Sequence, residues 1–176
     1  MQQFVALVIL ILFLFPTFSQ AGPGTKDMSN RLGVGYSDSF SISPLPSVAV
    51  KYYPNNDWAL SLALGIDTNT LNSSSGNSDF GLGGNFYKTI FTESMLNFFM
   101  GAGAAIVSQG PASGGTGTTS SGFELSGFGG CEFFFPGLEN IGFNFLFGVG
   151  VTSISSGVRF RTIGESPLKA GIYFYF

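Results

Sequence analysis

Histidine is absent from this chain of 176 residues, and cysteine occurs once, at Cys131. That removes most chemistry based on a proton shuttle. No Ser-His-Asp arrangement can be assembled, and one Cys without His is a poor transition-metal site. The ten Asp and Glu residues could in principle hold Ca²⁺ in a loop, but no ligand spacing suggests it. Gly101-Ala102-Gly103 and Gly148-Val149-Gly150 resemble the start of a dinucleotide fingerprint, yet neither opens a helix. A narrow space lined by alternate glycines explains them better. Cys131 cannot form an internal disulfide and falls on an apolar face, so an inert thiol is expected. The reading is therefore no enzyme, no cofactor and no metal. A net charge of −3 gives no reason to expect nucleic acid as a partner.

The chemistry that remains is charge, and its placement is selective. Only 10% of residues are charged, against a usual ~25%. Arg31, Lys51, Asp79, Glu124, Glu132 and Lys169 are separated from the bulky apolar residues by an alternation of period two. From Trp58 to Ile66 the even positions are Trp58, Leu60, Leu62, Leu64 and Ile66, and the odd ones are Ala59, Ser61, Ala63 and Gly65. From Ile141 to Val151 the odd positions are Ile, Phe or Val, and Gly142, Asn144, Leu146, Gly148 and Gly150 lie between them. Strict alternation over such lengths specifies β-strand.

Extending the test predicts eight strands, near 30–37, 46–53, 58–66, 79–88, 94–107, 122–135, 140–152 and 168–176. The connections after strands one, three, five and seven run to about eight, twelve, fourteen and fifteen residues, and the others to only about four or five. The long ones, above all 108–121, are rich in Gly, Ser and Thr. The expected fold is all-β: an eight-stranded antiparallel up-and-down transmembrane β-barrel.

Which face points inward follows from volume. Eight strands enclose a space that one layer of side chains already fills. The bulky face cannot fit there, and the small-residue face carries too few charges to meet water. Turned inside out, the bulky face meets lipid and the small or polar face lines the lumen. The apolar face carries one strand charge, Lys88, expected at a strand end where it can snorkel. Mid-depth Lys or Arg on the lipid face would cost ~2–4 kcal/mol.

Inside, the lumen charges Arg31, Lys51, Glu124, Glu132 and Lys169 should pair. Lys51 is expected with Glu132, Arg31 nearby, and Glu124 with Lys169 in a second pairing, since an unpaired buried charge is costly. Tyr53, Tyr87, Phe99, Phe134, Tyr173 and Tyr175 all count inward near the short turns and should form an aromatic plug. Gly81, Gly83, Gly101, Gly103, Gly148 and Gly150 would leave room for enclosed water above it. Aromatics at the strand ends that meet the short turns (Tyr52, Tyr53, Trp58, Phe86, Phe98, Phe133, Phe135, Phe143, Phe174 and Phe176) suit an interfacial girdle.

The two ends of the chain carry addresses. Residues 4–15 are twelve consecutive apolar residues, followed by Pro16 and by Ser19-Gln20-Ala21. A short apolar core before a small-x-small site predicts a signal peptide, residues 1–21, cleaved after Ala21, although the first three residues lack Lys or Arg. As a helix those twelve residues would cover only ~18 Å of a ~30 Å hydrocarbon layer. The remainder, 22–176, makes one barrel domain. Its last residues, Lys169-Ala170-Gly171-Ile172-Tyr173-Phe174-Tyr175-Phe176, resemble the C-terminal signal read by the outer-membrane barrel-assembly machinery. Lys169, Gly171, Phe174 and Phe176 fill its four places.

With that ending, the chain looks like the small eight-stranded barrels of the OmpA/OmpX type. The resemblance implies a cell outer-membrane location, periplasmic termini, contact with outer-membrane lipid and with the assembly machinery, and a structural or surface-interaction role through long extracellular loops. It does not name a surface ligand. A narrow OmpW-like conduit for small or apolar solutes is the alternative. Barrel enzymes of the palmitoyltransferase, deacylase, phospholipase and protease families use a catalytic His, which this chain lacks.

Overall fold

The computed structural model of the protein describes residues 26–38, 40, 45–69, 77–110, 119–154, 157–162 and 169–176. The expected leader and parts of all four long connections lie outside them. Among the described residues nine strands form: β1 (Arg31–Ser37), β2 (Ser47–Asn55), β3 (Trp58–Asn69), β4 (Asn77–Glu93), β5 (Leu96–Gln109), β6 (Ser120–Phe135), β7 (Leu138–Ile154), β8 (Gly157–Thr162) and β9 (Lys169–Tyr175). Neighbours in sequence pair antiparallel from β1 to β8, and β9 closes the ring by pairing with both β7 and β1. The result is a closed barrel of eight walls with no helix among the described residues.

The ninth strand corrects the sequence reading, which left 153–167 as loop. β8 and β9 share one edge of β7: β9 pairs along Ile141 to Leu146, and β8 along Val149 to Ile154. They are two storeys of the same wall. Val158 and Phe160 alternate with Arg159 and Arg161, but two apolar positions are too few to identify a strand by period alone.

Several strands also run further than their alternation. β4 continues to Glu93 through a register shift between Thr89 and Phe91, so Lys88 is not at a strand end. It faces outward, level with Trp58 and Met100. The walls are therefore unequal. β4 and β7 have 17 residues each, whereas β1 and β9 have seven.

The pleat sorts side chains as its period requires. Outward positions are apolar and exposed, with Val48, Leu62, Ile66 and Ile106 each more than 60% accessible. Inward positions are buried and contain most of the polar groups, including Ser47, Lys51, Ser61, Asn97, Glu124, Glu132, Asn144, Thr152 and Lys169. A water-soluble barrel has the reverse arrangement.

At the short-turn end the first described residues lie beneath the barrel mouth. Residues 26–30 form a strap: the Met28 amide donates to Asn56 Oδ1 at 2.7 Å, and the Arg31 amide donates to the Met28 carbonyl at 3.1 Å. Asn30 turns the strap upward at φ 58°, a left-handed conformation that Asn tolerates better than most residues. Met28 is thereby buried in the core. The last residue completes the seam, with the Phe176 amide donating to the Leu32 carbonyl at 3.0 Å.

Candidate functional site: the filled lumen

The lumen of the turn-end half is built around one carboxylate. Glu132 comes from β6, four positions inward of the Pro136-Gly137 turn, and Lys51 comes from β2 across the ring. Both side chains are wholly buried, and Lys51 Nζ lies 3.2 Å from Glu132 Oε2. The hydroxyls of Tyr53 and Tyr175 donate to the same carboxylate at 2.5 and 2.6 Å. One cation and two phenols thus compensate the buried anion. Burying an ion pair is tolerable only when remaining lone pairs and protons also find partners.

The Lys51 ammonium is held by ring faces as well. Its Nζ lies 4.4 Å from the centre of the Tyr87 ring, 5.1 Å from Tyr53 and Phe99, and 5.6 Å from Tyr173. Cations are attracted to the negative face of an aromatic quadrupole, most strongly when water is excluded. Tyr53 packs on Tyr175, Phe134 on Tyr175, and Tyr87 on Phe99, with centroids 6.0, 6.1 and 5.1 Å apart. All six expected inward rings (Tyr53, Tyr87, Phe99, Phe134, Tyr173 and Tyr175) are buried. Tyr53 therefore lines the lumen and leaves the interfacial girdle.

Four residues absent from the sequence reading add to this filling. Phe128 lies on the inward face of β6 and packs against Tyr87 at 5.2 Å. Met28 closes the bottom, and Lys26 Nζ sits 3.5 Å from the Phe134 ring centre. Burial and the nearby Arg31 guanidinium lower the Lys26 amine to about 8, while Glu132 and Glu139 oppose the shift. Phe40, from the β1–β2 connection, fills the loop-end half. Inward alternation was sufficient to find Phe128, whereas no strand pattern covers the other three.

Arg31 sits differently from expectation. Arg31 is at the rim, where its Nη1 donates to Asn140 Oδ1 at 3.2 Å in an exposed bond. It is not part of the buried cluster, because β1 has only just begun there. Glu124 and Lys169 are buried, and each has interactions of its own. They stand against Thr152 and Leu146, at different heights on β7. Burial raises the Asp38 carboxyl just beyond β1, and the Lys169 charge opposes that shift.

The residues of the terminal motif divide by parity. Lys169 and Gly171 face inward, while Phe174 and Phe176 are exposed on the outside. Cys131 is outward and half-buried. No group of three or more potential metal ligands occurs among the described residues.

These features define a class: a closed eight-walled antiparallel barrel, apolar outside, whose narrow interior is filled by its own charges and rings. Comparison with known proteins gives a structural likeness of the same kind. The crystal structure of the N-terminal beta-barrel domain of Pseudomonas aeruginosa OprF is similar in fold, with a TM-score of 0.52 and 13% sequence identity, over 86% of this chain and 100% of that one. No family model and no curated protein matches the sequence.

Proposed function

We propose that this chain is an integral outer-membrane β-barrel with a structural or surface-interaction role, its long loops extracellular and both termini periplasmic. The observation that carries the reading is the inverted burial. Large apolar side chains cover the outside of the walls, and the charged and polar ones are inside. Exposed apolar surface on that scale marks contact with lipid or with protein, and β9, paired with both β7 and β1, leaves no unpaired edge where the ring closes.

The likeness to an outer-membrane protein's barrel domain supports the location. The leader-like residues 1–21, outside the described residues, support export with cleavage after Ala21. The filled lumen argues against a wide pore and gives the OmpW-like conduit no independent support. No catalytic role is assigned.

The terminal Lys169, Gly171, Phe174 and Phe176 are proposed as the signal for the barrel-assembly machinery, with Phe176 its essential end. The test is expression of the full chain in a bacterium with an outer membrane. Wild-type protein should fractionate with outer membranes and migrate differently on gels before and after boiling. The Phe176 deletion should accumulate in the periplasm or be degraded. Recovery of wild-type protein only in the soluble fraction would sink the location, and a normally inserted deletion variant would sink the role of Phe176.

A further inference from the structure

At the turn end, the outer rim between β7 and β9 carries an open hollow of about 470 Å³. That volume lies within the ~300–1,000 Å³ usual for a small-molecule site. Its lining is Gly137, Leu138, Glu139, Asn140, Ile141 and Phe174. Gly137, at φ 83°, turns β6 back into β7 and so sets the next residues along the border. Glycine adopts that conformation at little cost.

The lining changes character along β7. Glu139 and Asn140 are exposed at the turn, where Leu138 adds one apolar group. Ile141 and its register partner Phe174 face outward on the wall, and Phe143 with its partner Ile172 continue the apolar track. Phe174 and Ile172 are about half exposed, at 53 and 48%. A polar end therefore opens onto an apolar one.

Two opposite charges stand at the polar end. Glu139 supplies a carboxylate on the border itself. Arg31 reaches the border from β1, donating from Nη1 to Asn140 Oδ1 at 3.2 Å. A guanidinium has five N–H donors, so that bond leaves it able to hold an anion as well. Neither charge forms an ion pair with a described residue. Lys26 is close enough for the Glu139 charge to act on it, but its Nζ is turned to the Phe134 ring. Charges of both signs beside an apolar track suit an amphipathic molecule whose head carries both signs too.

We propose that this hollow holds one phospholipid whose headgroup carries a phosphate and a primary ammonium. The phosphate would accept charge-assisted hydrogen bonds from Arg31, and the ammonium would donate to Glu139. The acyl chains would lie along Ile141, Phe174, Phe143 and Ile172. This rests on the outer-membrane reading and deepens it, since it names one lipid class at one seam.

The test is native mass spectrometry of the full chain, refolded in detergent micelles, with phosphatidylethanolamine, phosphatidylglycerol or phosphatidylcholine added. Folding of each protein is checked by its heat-shifted gel mobility. Wild type should retain one phosphatidylethanolamine, with an apparent Kd about fivefold below those of the other two, as one exposed charge pair allows. Phosphatidylglycerol lacks the ammonium, and the quaternary ammonium of phosphatidylcholine has no N–H to donate. Glu139→Gln should remove the preference without weakening phosphatidylglycerol. Arg31→Gln should weaken phosphatidylethanolamine and phosphatidylglycerol alike, again about fivefold, and it decides the matter if Glu139→Gln does not fold. Glycerophosphoethanolamine, the headgroup without acyl chains, should not displace the lipid at equal concentration. Folded wild type without the preference, or a folded Glu139→Gln that keeps it, would overturn this site and leave the membrane reading standing. Displacement by the soluble headgroup would overturn a lipid as the occupant. Failure of the membrane reading shows separately, as wild-type protein in the soluble fraction.

Discussion

Glu132 gathers three donors from two walls, Lys51 and Tyr53 of β2 and Tyr175 of β9, onto its two oxygens. Removing it leaves the Lys51 ammonium inside a cage of rings with no counter-charge. Removing Lys51 instead leaves a carboxylate that still accepts from Tyr53 and Tyr175. Truncation of one partner of a buried pair typically costs ~3–5 kcal/mol. We therefore expect Glu132→Ala to destabilise the barrel by about that amount, and Lys51→Met by less, because the carboxylate keeps its two phenol hydrogen bonds. Urea unfolding of refolded protein, followed through the single Trp58, measures both. Equal stability of Glu132→Ala and wild type would refute this account. Period two alone put both residues on the inner face, and the opposite positions of strands two and six in an eight-walled ring put them within reach of each other. The third and fourth members of the cluster followed from the same parity.

The strap before β1 could not be read this way. Residues 26–30 have no period, and their place follows from a backbone turn at Asn30 and a bond to Asn56, both properties of the folded mouth. β8 was missed for a related reason: its identity comes from the upper edge of β7, which the shorter β9 leaves unpaired. Strands with long alternation were legible, and elements whose form depends on what a neighbour leaves open were not. The strap makes a prediction about pH. Its Lys26 amine is lowered from the ordinary 10.5 to about 8 by burial and by Arg31. Below pH 8 the amine is charged in both folded and unfolded chains, so the cost of burying the charge is fully present. Between about 8 and 10.5 the unfolded chain binds more protons, and stability attributable to this group rises with pH. The thermal midpoint of wild type relative to Lys26→Met should therefore increase across that window. A difference that is flat with pH, or that falls, would show the ammonium to be held by the Phe134 ring and the nearby carboxylates more strongly than burial penalises it.

For the whole molecule the question is whether anything passes through it. Six expected rings, with Phe128 and Met28, fill the turn-end half, and Phe40 and Leu45 occupy the other. Asn144 and Thr152 have buried polar atoms without hydrogen-bond partners in the structure, groups that enclosed water would satisfy. In planar bilayers we expect wild-type protein to show no steady single-channel current. Conductance should appear when Tyr53, Tyr87, Phe99, Phe134, Tyr173 and Tyr175 are replaced together by Ala. Steady current from wild type would favour the conduit reading over the surface one.

The unequal walls have a consequence for the surrounding lipid. A spanning strand needs ~9–11 residues when tilted, yet β1 and β9 stand side by side with seven each, while β4 and β7 have 17. In a bilayer of uniform thickness the tall flank has apolar length to spare and the short flank too little. Such mismatch is relieved by tilting the barrel or by drawing the headgroups inward beside the short wall, at a fraction of a kcal/mol per Å. The annulus would then be thinnest beside β1, since β8 stands above β9 along the same edge of β7. Lipids there would be the most compressed of any around the barrel, and the membrane would be easiest to deform on that side.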